Sequence, residues 1–420
     1  MYQKTVLDNG IRILTEKVPG AYSAALGFWV ENGARHESRA LSGASHFLEH
    51  LLFKGTQRRS ALDIAKEIDS VGGALNAFTS HELSCFYAKV AGEKLPLAID
   101  LLADVFCHSL FDFDEIEKER RVILQEIHMV EDSPDELVQE LFAEKYWPGH
   151  PLGQPILGTS QSVAGLDRDT LLQFLRERYT GSNLLITAAG DLSHRQVVDL
   201  VLATLGNLPA GRKTEIAPPP AAPLRQVNIL NKRLEQVHIC LGTAGLPQGH
   251  PHRYTCQILN TILGGSMSSR LFQQLREQRG MAYSVYSYLN AHSDSGALAV
   301  HAGVAPDEAG HAVGVILREM SRLRKETVST DELQFAKDQL KGQFLLSMES
   351  TDNRMTRLAK NEIFLKRVLA PEEIMANIDL VTTGSIYSLA KELFQDNVLV
   401  LQMLGDLDND AFPLMDLTLG

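Results

Sequence analysis

A chain whose second half repeats its first has few folds open to it, and this one carries such a repeat. NLLITAAGDL (183–192) is an apolar strand ending in Gly-Asp-Leu, and NVLVLQMLGDL (397–407) ends the same way. Each half also opens with two strand-like runs, IRILTEK and AALGFWVE in the first, QVNILNK and QVHICLGTAG in the second. Between the halves, PAGRKTEIAPPPAAPLR (209–225) concentrates five prolines and has no apolar periodicity, the composition of an extended, semi-rigid linker. A chain of 420 residues exceeds what one hydrophobic core usually serves. We therefore divide it into a first domain over 1–208, a linker over 209–225 and a homologous second domain over 226–420.

Helical patterns follow the opening strands. In the first half they run over 43–53, 61–71, 94–110 and 114–133, the last stopped by Pro134. ALNAFTS and SCFYAKVA, between the second and third helices, form a hairpin pattern. Strand blocks set apart from helix blocks predict α+β domains, each a mostly antiparallel sheet with helices packed on one face.

SGASHFLEHLLFKGT contains the residues with the most chemistry. Ala44, Phe47, Leu48, Leu51 and Leu52 form an apolar helix face that Gly55 can end. His46, Glu49 and His50 stand at i, i+3 and i+4, within an arc of roughly 100° at 3.6 residues per turn. Both imidazoles can thus reach one ion with a carboxylate beside it. The spacing HxxEH is the reverse of the HExxH of other metallohydrolases, although paired histidines on an amphipathic helix also occur as ordinary boundary residues. A third protein ligand is needed, commonly a carboxylate from another element. Glu119 and Glu126 on DEIEKERRVILQEIHMVED share a face seven residues apart, and spacing does not choose between them.

HFLEH, the distant carboxylate and the duplicated halves together resemble the pitrilysin/insulinase family of zinc peptidases, the inverzincins, and within it the bacterial members similar to the β subunit of the mitochondrial processing peptidase. SGASHFLEHLLFKGT, GGALNAFTSHE, RRVILQEIHMVEDSPDE and HPLGQPILGT (150–159) match the family's motif blocks, and the resemblance spans the whole chain. It implies that His46, His50 and Glu126 hold one zinc ion per chain, that Glu49 is the general base, and that Glu119 is a supporting acid nearby. It further implies that Asn76 contacts the substrate backbone, with Ala77, Phe78 and Thr79 forming the edge to which a peptide adds. Arg276 and Tyr283, in SSRLFQQLREQRGMAYSV, become oxyanion stabilisers. The second half has TILGGSMSS where a metal helix would fall and no HxxEH, so the expectation is one active site per chain.

The activity implied is a zinc metalloendopeptidase that hydrolyses unfolded peptides or presequence-like segments within a dimer chamber. A homodimer is expected, with Arg276 and Tyr283 serving the opposite subunit's site, and a heterodimer with a non-catalytic homologue is the variant. The alternative function is a non-catalytic scaffold or partner subunit of a processing-peptidase-like complex. A formal charge of −12 disfavours nucleic acid and favours cationic partners. No apolar run approaches the roughly 18 residues of a membrane span, and the first residues lack a secretory signal pattern. Four widely spaced cysteines, Cys85, Cys107, Cys240 and Cys256, predict free thiols in a reducing cytoplasm. Among the other histidines, His36, His81 and His128 lie near the motifs without being assigned as ligands, and the remaining nine show no ligand spacing to one another.

Overall fold

The computed structural model describes residues 2–408 and 410–420. They form two compact units. The first comprises Met1–Met129, Gln154–Ala217 and Leu346–Val368, and the second Val130–Gly153, Pro218–Leu345 and Leu369–Gly420. Each half of the sequence therefore lends one segment to the unit built mainly from the other half, an exchange to which a linear division at 209–225 is blind.

The first unit holds a six-stranded sheet of β1 (Tyr2–Val6), β2 (Arg12–Lys17), β3 (Ser23–Val30), β4 (Ala74–Thr79), β5 (Ser84–Ala91) and β6 (Leu184–Gly190), in the order β1-β2-β6-β3-β5-β4. Only the β2–β6 pair is parallel. The second unit holds β7 (Gln226–Asn231), β8 (Val237–Ala244), β9 (Ala282–Ala291), β10 (Gly296–Val304) and β11 (Val400–Gly405), in the order β7-β11-β8-β10-β9 with β7 and β11 parallel. Strand for strand this is the topology of β2-β6-β3-β5-β4, so both sheets are mostly antiparallel and the repeat read from the Gly-Asp-Leu endings is a structural one. Those endings lie at the ends of β6 and β11, which pair in parallel with the equivalent strands β2 and β7.

Helices cover both faces of each sheet, which corrects the expectation of one covered face. In the first unit Ile13, Leu26, Phe28, Phe86 and Ile186 face a core with α1 (Ala44–Leu52), α2 (Ala61–Ser70), α3 (Leu95–His108) and α4 (Phe113–Asp132). Their strand neighbours Leu14, Ala25, Trp29, Cys85 and Leu185 pack instead on Met355, Ala359 and Ile363, two of them on the helix Thr351–Lys360. In the second unit Cys240, Ala297, Ala299 and Val400 pack on Val138, Phe142 and Tyr146 of α5 (Pro134–Tyr146). The reason is visible in the strands themselves, since β6 is buried at every position, as only a strand covered on both sides can be.

Observed helices follow the predicted ones closely. Pro134 ends one helix and opens the next, where its missing N–H costs nothing. No described helix is long and apolar enough to cross a membrane, and all four cysteines are free.

Candidate metal centre

Helix α1 buries Ala44, Phe47, Leu48, Leu51 and Leu52 and turns His46, Glu49 and His50 to its other side. Its start depends on Gly43, whose φ of +93° lies in the left-handed region and whose absent Cβ would stand 2.6 Å from the Leu157 carbonyl oxygen. Glu37 satisfies buried amides at the start of the helix: its carboxylate accepts the N–H of Gly43 at 2.7 Å and of Ser45 at 2.6 Å. Burial pushes the Glu37 carboxyl up to about 7, against the pull of those hydrogen bonds. Sequence reading missed Glu37, because a cap seven residues before the first helical residue leaves no local signature.

The two α1 imidazoles stand 4.6 Å apart between ring centroids. Glu126 of α4 reaches them both, its Oε2 lying 3.7 Å from His46 Nε2 and 3.5 Å from His50 Nε2. These three donor atoms fall within 4.8 Å of one another. Glu126 Oε2 and His46 Nδ1 are buried atoms without a hydrogen-bond partner. Two imidazole nitrogens and an unsatisfied carboxylate oxygen facing one point fit a divalent cation of the zinc type. Burial, helped by the neighbouring His50, lowers the His46 pKa to about 4 and keeps the ring neutral, the form that ligates.

Glu119, one of two candidates that spacing left open, takes a different place. Its Oε2 sits 3.0 Å from His50 Nδ1 and its Oε1 2.7 Å from Lys54 Nζ. It fixes the ring so that Nε2 is the nitrogen directed toward Glu126. Glu49 is oriented from another element, with Thr79 Oγ1 donating to its Oε2 at 2.6 Å. Burial raises the Glu49 pKa, while the Thr79 hydrogen bond works to lower it.

Thr79 is held in place by the tip of the β4–β5 hairpin. The backbone amides of Ala34 and Arg35 donate to the carbonyls of Ser80 and His81, at 3.2 and 2.7 Å, and the Arg35 guanidinium pairs with Glu82. Strand β4 is one of the sheet's two edges, paired among the described residues with β5 alone. Asn76, Ala77 and Phe78 lie along it. The Asn76 side chain accepts the Ala77 amide at 2.8 Å, and Phe78 stacks edgewise on Trp29 and Tyr87. Thr79, predicted as a substrate contact, spends its hydroxyl on Glu49.

His36 and His81 are engaged elsewhere. His36 Nδ1 accepts the Gly33 amide at 3.0 Å, and His81 Nε2 lies 3.2 Å from the Gln154 carbonyl.

In the second unit Arg276 and Tyr283 meet: Arg276 Nη1 donates to the Tyr283 carbonyl at 2.9 Å, and its guanidinium carbon stands 5.0 Å from the rings of Tyr283 and Phe272. Residues Phe272–Glu277 form a π-helical turn. The β9–β10 register steps from Ser284 opposite Gly303 to Ala282 opposite Val304, so Tyr283 is the extra residue of a β-bulge, and the residue is 78% exposed.

Two matched α+β units, of which one carries an HxxEH helix completed by a carboxylate from a second helix, define the inverzincin class of fold and site. Residues 12–160 match the family model described as insulinase (peptidase family M16), and 165–340 the one described as peptidase M16 inactive domain. A Bacillus subtilis protein named as an uncharacterized zinc protease is 40% identical over 94% of this chain and 97% of its own. A Streptomyces coelicolor protein of the same description is 39% identical over 93% and 87%. The chain belongs to peptidase family M16. Among solved structures, a protease from Helicobacter pylori superimposes with a TM-score of 0.90 at 21% identity, covering 96% of this chain and 99% of that one. A peptidase M16 inactive domain from Pseudomonas fluorescens gives 0.91 at 18%, covering 97% and 98%. At such identities these two show the shared fold.

Proposed function

We propose that this chain is a zinc-dependent endopeptidase acting on unfolded peptides. The observation that carries the reading is the convergence of His46, His50 and Glu126, with Glu49 on the same helix held by Thr79 rather than by those three. His46, His50 and Glu126 would hold the ion, which when bound supplies Lewis acidity that makes water a nucleophile near neutral pH and polarises the scissile carbonyl. Glu49, with its pKa raised by burial, takes a proton from the attacking water and returns it to the leaving amine. Glu119 keeps His50 oriented throughout. Because β4 is an edge strand, an extended peptide can add to it through main-chain hydrogen bonds, which selects unfolded segments over folded ones.

The remaining parts of the reading follow from the same resemblance. Arg276 and Tyr283 stabilise the developing oxyanion, and the working form is a homodimer enclosing a chamber in which they serve the partner's site. The exposed Tyr283 ring, aimed by a bulge and braced by Arg276, supports a role in contact with a ligand. Net charge of −12 supports basic, presequence-like substrates, and four unpaired thiols support a reducing compartment such as the cytoplasm.

Hydrolysis of a quenched fluorogenic peptide library tests the proposal. Activity should disappear with a chelator, return with zinc, and be lost in Glu49→Gln while that variant keeps its metal. A wild-type, zinc-loaded chain that cleaves nothing, or a Glu49→Gln chain as active as wild type, overturns it, and the first result leaves the scaffold role in its place.

A further inference from the structure

Nine histidines outside the motifs show no spacing that would mark a second site, yet strand register brings two of them together. In the second unit β8 and β10 are antiparallel neighbours, with His238 opposite Gly303 and His301 opposite Cys240. His238 and His301 thus lie diagonally on one face of the sheet, their rings 5.9 Å apart between centroids. The first turn of α5 brings Asp135 over that face. Asp135 Oδ1 stands 2.9 Å from His238 Nδ1 and 3.1 Å from His301 Nε2.

An ordinary explanation would be two imidazoles each donating to one carboxylate. It serves His238 but not His301. The latter is fully buried, and neither of its ring nitrogens has a hydrogen-bond partner, Nε2 being near Asp135 but out of line for one. Leaving a buried polar atom unsatisfied costs its full desolvation penalty.

We propose that Asp135, His238 and His301 form a second metal site, one that takes a borderline divalent cation such as Zn²⁺ or Co²⁺. Their donor atoms lie within 4.8 Å of one another. Two imidazoles with one carboxylate suit zinc or cobalt and not magnesium or calcium, which require mostly oxygen ligands. The Asp135 side chain is 60% exposed and gives the ion a route in. Tyr286 lines the site, its ring 5.0 Å from that of His301 and its hydroxyl held at 3.2 Å by Gln139 of the next α5 turn. An ion here would tie the start of α5 to β8 and β10, so the role is structural.

The test removes the first site and asks whether binding persists. A full-length His46→Ala/His50→Ala chain, stripped with chelator and titrated with Co²⁺ or Zn²⁺ alone, should bind one equivalent and gain thermal stability on loading. Asp135→Asn in that background, a near-isosteric change at an exposed position, should weaken binding by more than the roughly 10–100-fold that loss of an outer-shell partner costs. His238→Ala should do the same. A double variant that takes up no ion, or one that binds equally well with Asp135→Asn, overturns the proposal. Because this background lacks the HxxEH ligands, either result is independent of the peptidase reading.

Discussion

His50 Nδ1 lies 3.0 Å from Glu119 Oε2, and this contact decides which face of the imidazole the rest of the site sees. Glu119 is itself anchored by Lys54, so a carboxylate outside the proposed ligand set fixes the orientation of a proposed ligand.

Replacing Glu119 by Ala is therefore expected to lower zinc affinity about 10–100-fold. Competition against a chromophoric chelator measures it. Activity in excess zinc should recover most of the loss, and an unchanged affinity would show that the contact does not orient His50.

Thr79→Val removes the one hydrogen bond that favours the charged form of Glu49 from the β4 side. The Glu49 pKa should rise further, moving the acid limb of the kcat/KM profile to higher pH. A profile with its acid limb in place, or shifted downward, counts against Glu49 as the base held by Thr79.

Glu37 makes stability depend on pH. Its folded pKa of about 7 lies above the ordinary value of 4.5, so between these limits the folded state binds more protons than the unfolded one. The stabilising contribution is complete below pH 4.5 and is lost as pH rises through 7, over a range on the order of 3 kcal/mol. Urea unfolding of chelator-treated wild type and Glu37→Gln should give a stability difference that shifts against wild type across this window. A constant difference would contradict the burial argument.

Met355 is 2% exposed and packs on the sheet face opposite α1, against Trp29 and its neighbours. Met355→Ala should cost roughly 2–5 kcal/mol. Its counterpart test is Gly27→Ala, where the new Cβ would stand 2.4 Å from Met355 Sδ. Denaturant midpoints for both report whether the late segment is integral to the first unit; if both stay at the wild-type value, it is not.

Much of this was legible in the sequence because it rests on local periodicity. His46, Glu49 and His50 share a face because a helix turns every 3.6 residues, and the hairpin, the linker and the repeated Gly-Asp-Leu endings are likewise properties of short stretches. The sharing of roles between Glu119 and Glu126 was not legible: both lie on one side of α4, and only the packing of α4 against α1 gives one to Nδ1 and the other to Nε2. Nor was the covering of the second sheet faces by Leu346–Val368 and Val130–Gly153, although the uninterrupted burial of β6 was its trace. Glu37 at the head of α1, and His238 beside His301, depend on which residues of distant elements come to face each other. That is set by strand register and by how side chains fill the space between layers, quantities that belong to the folded chain and to no stretch of it.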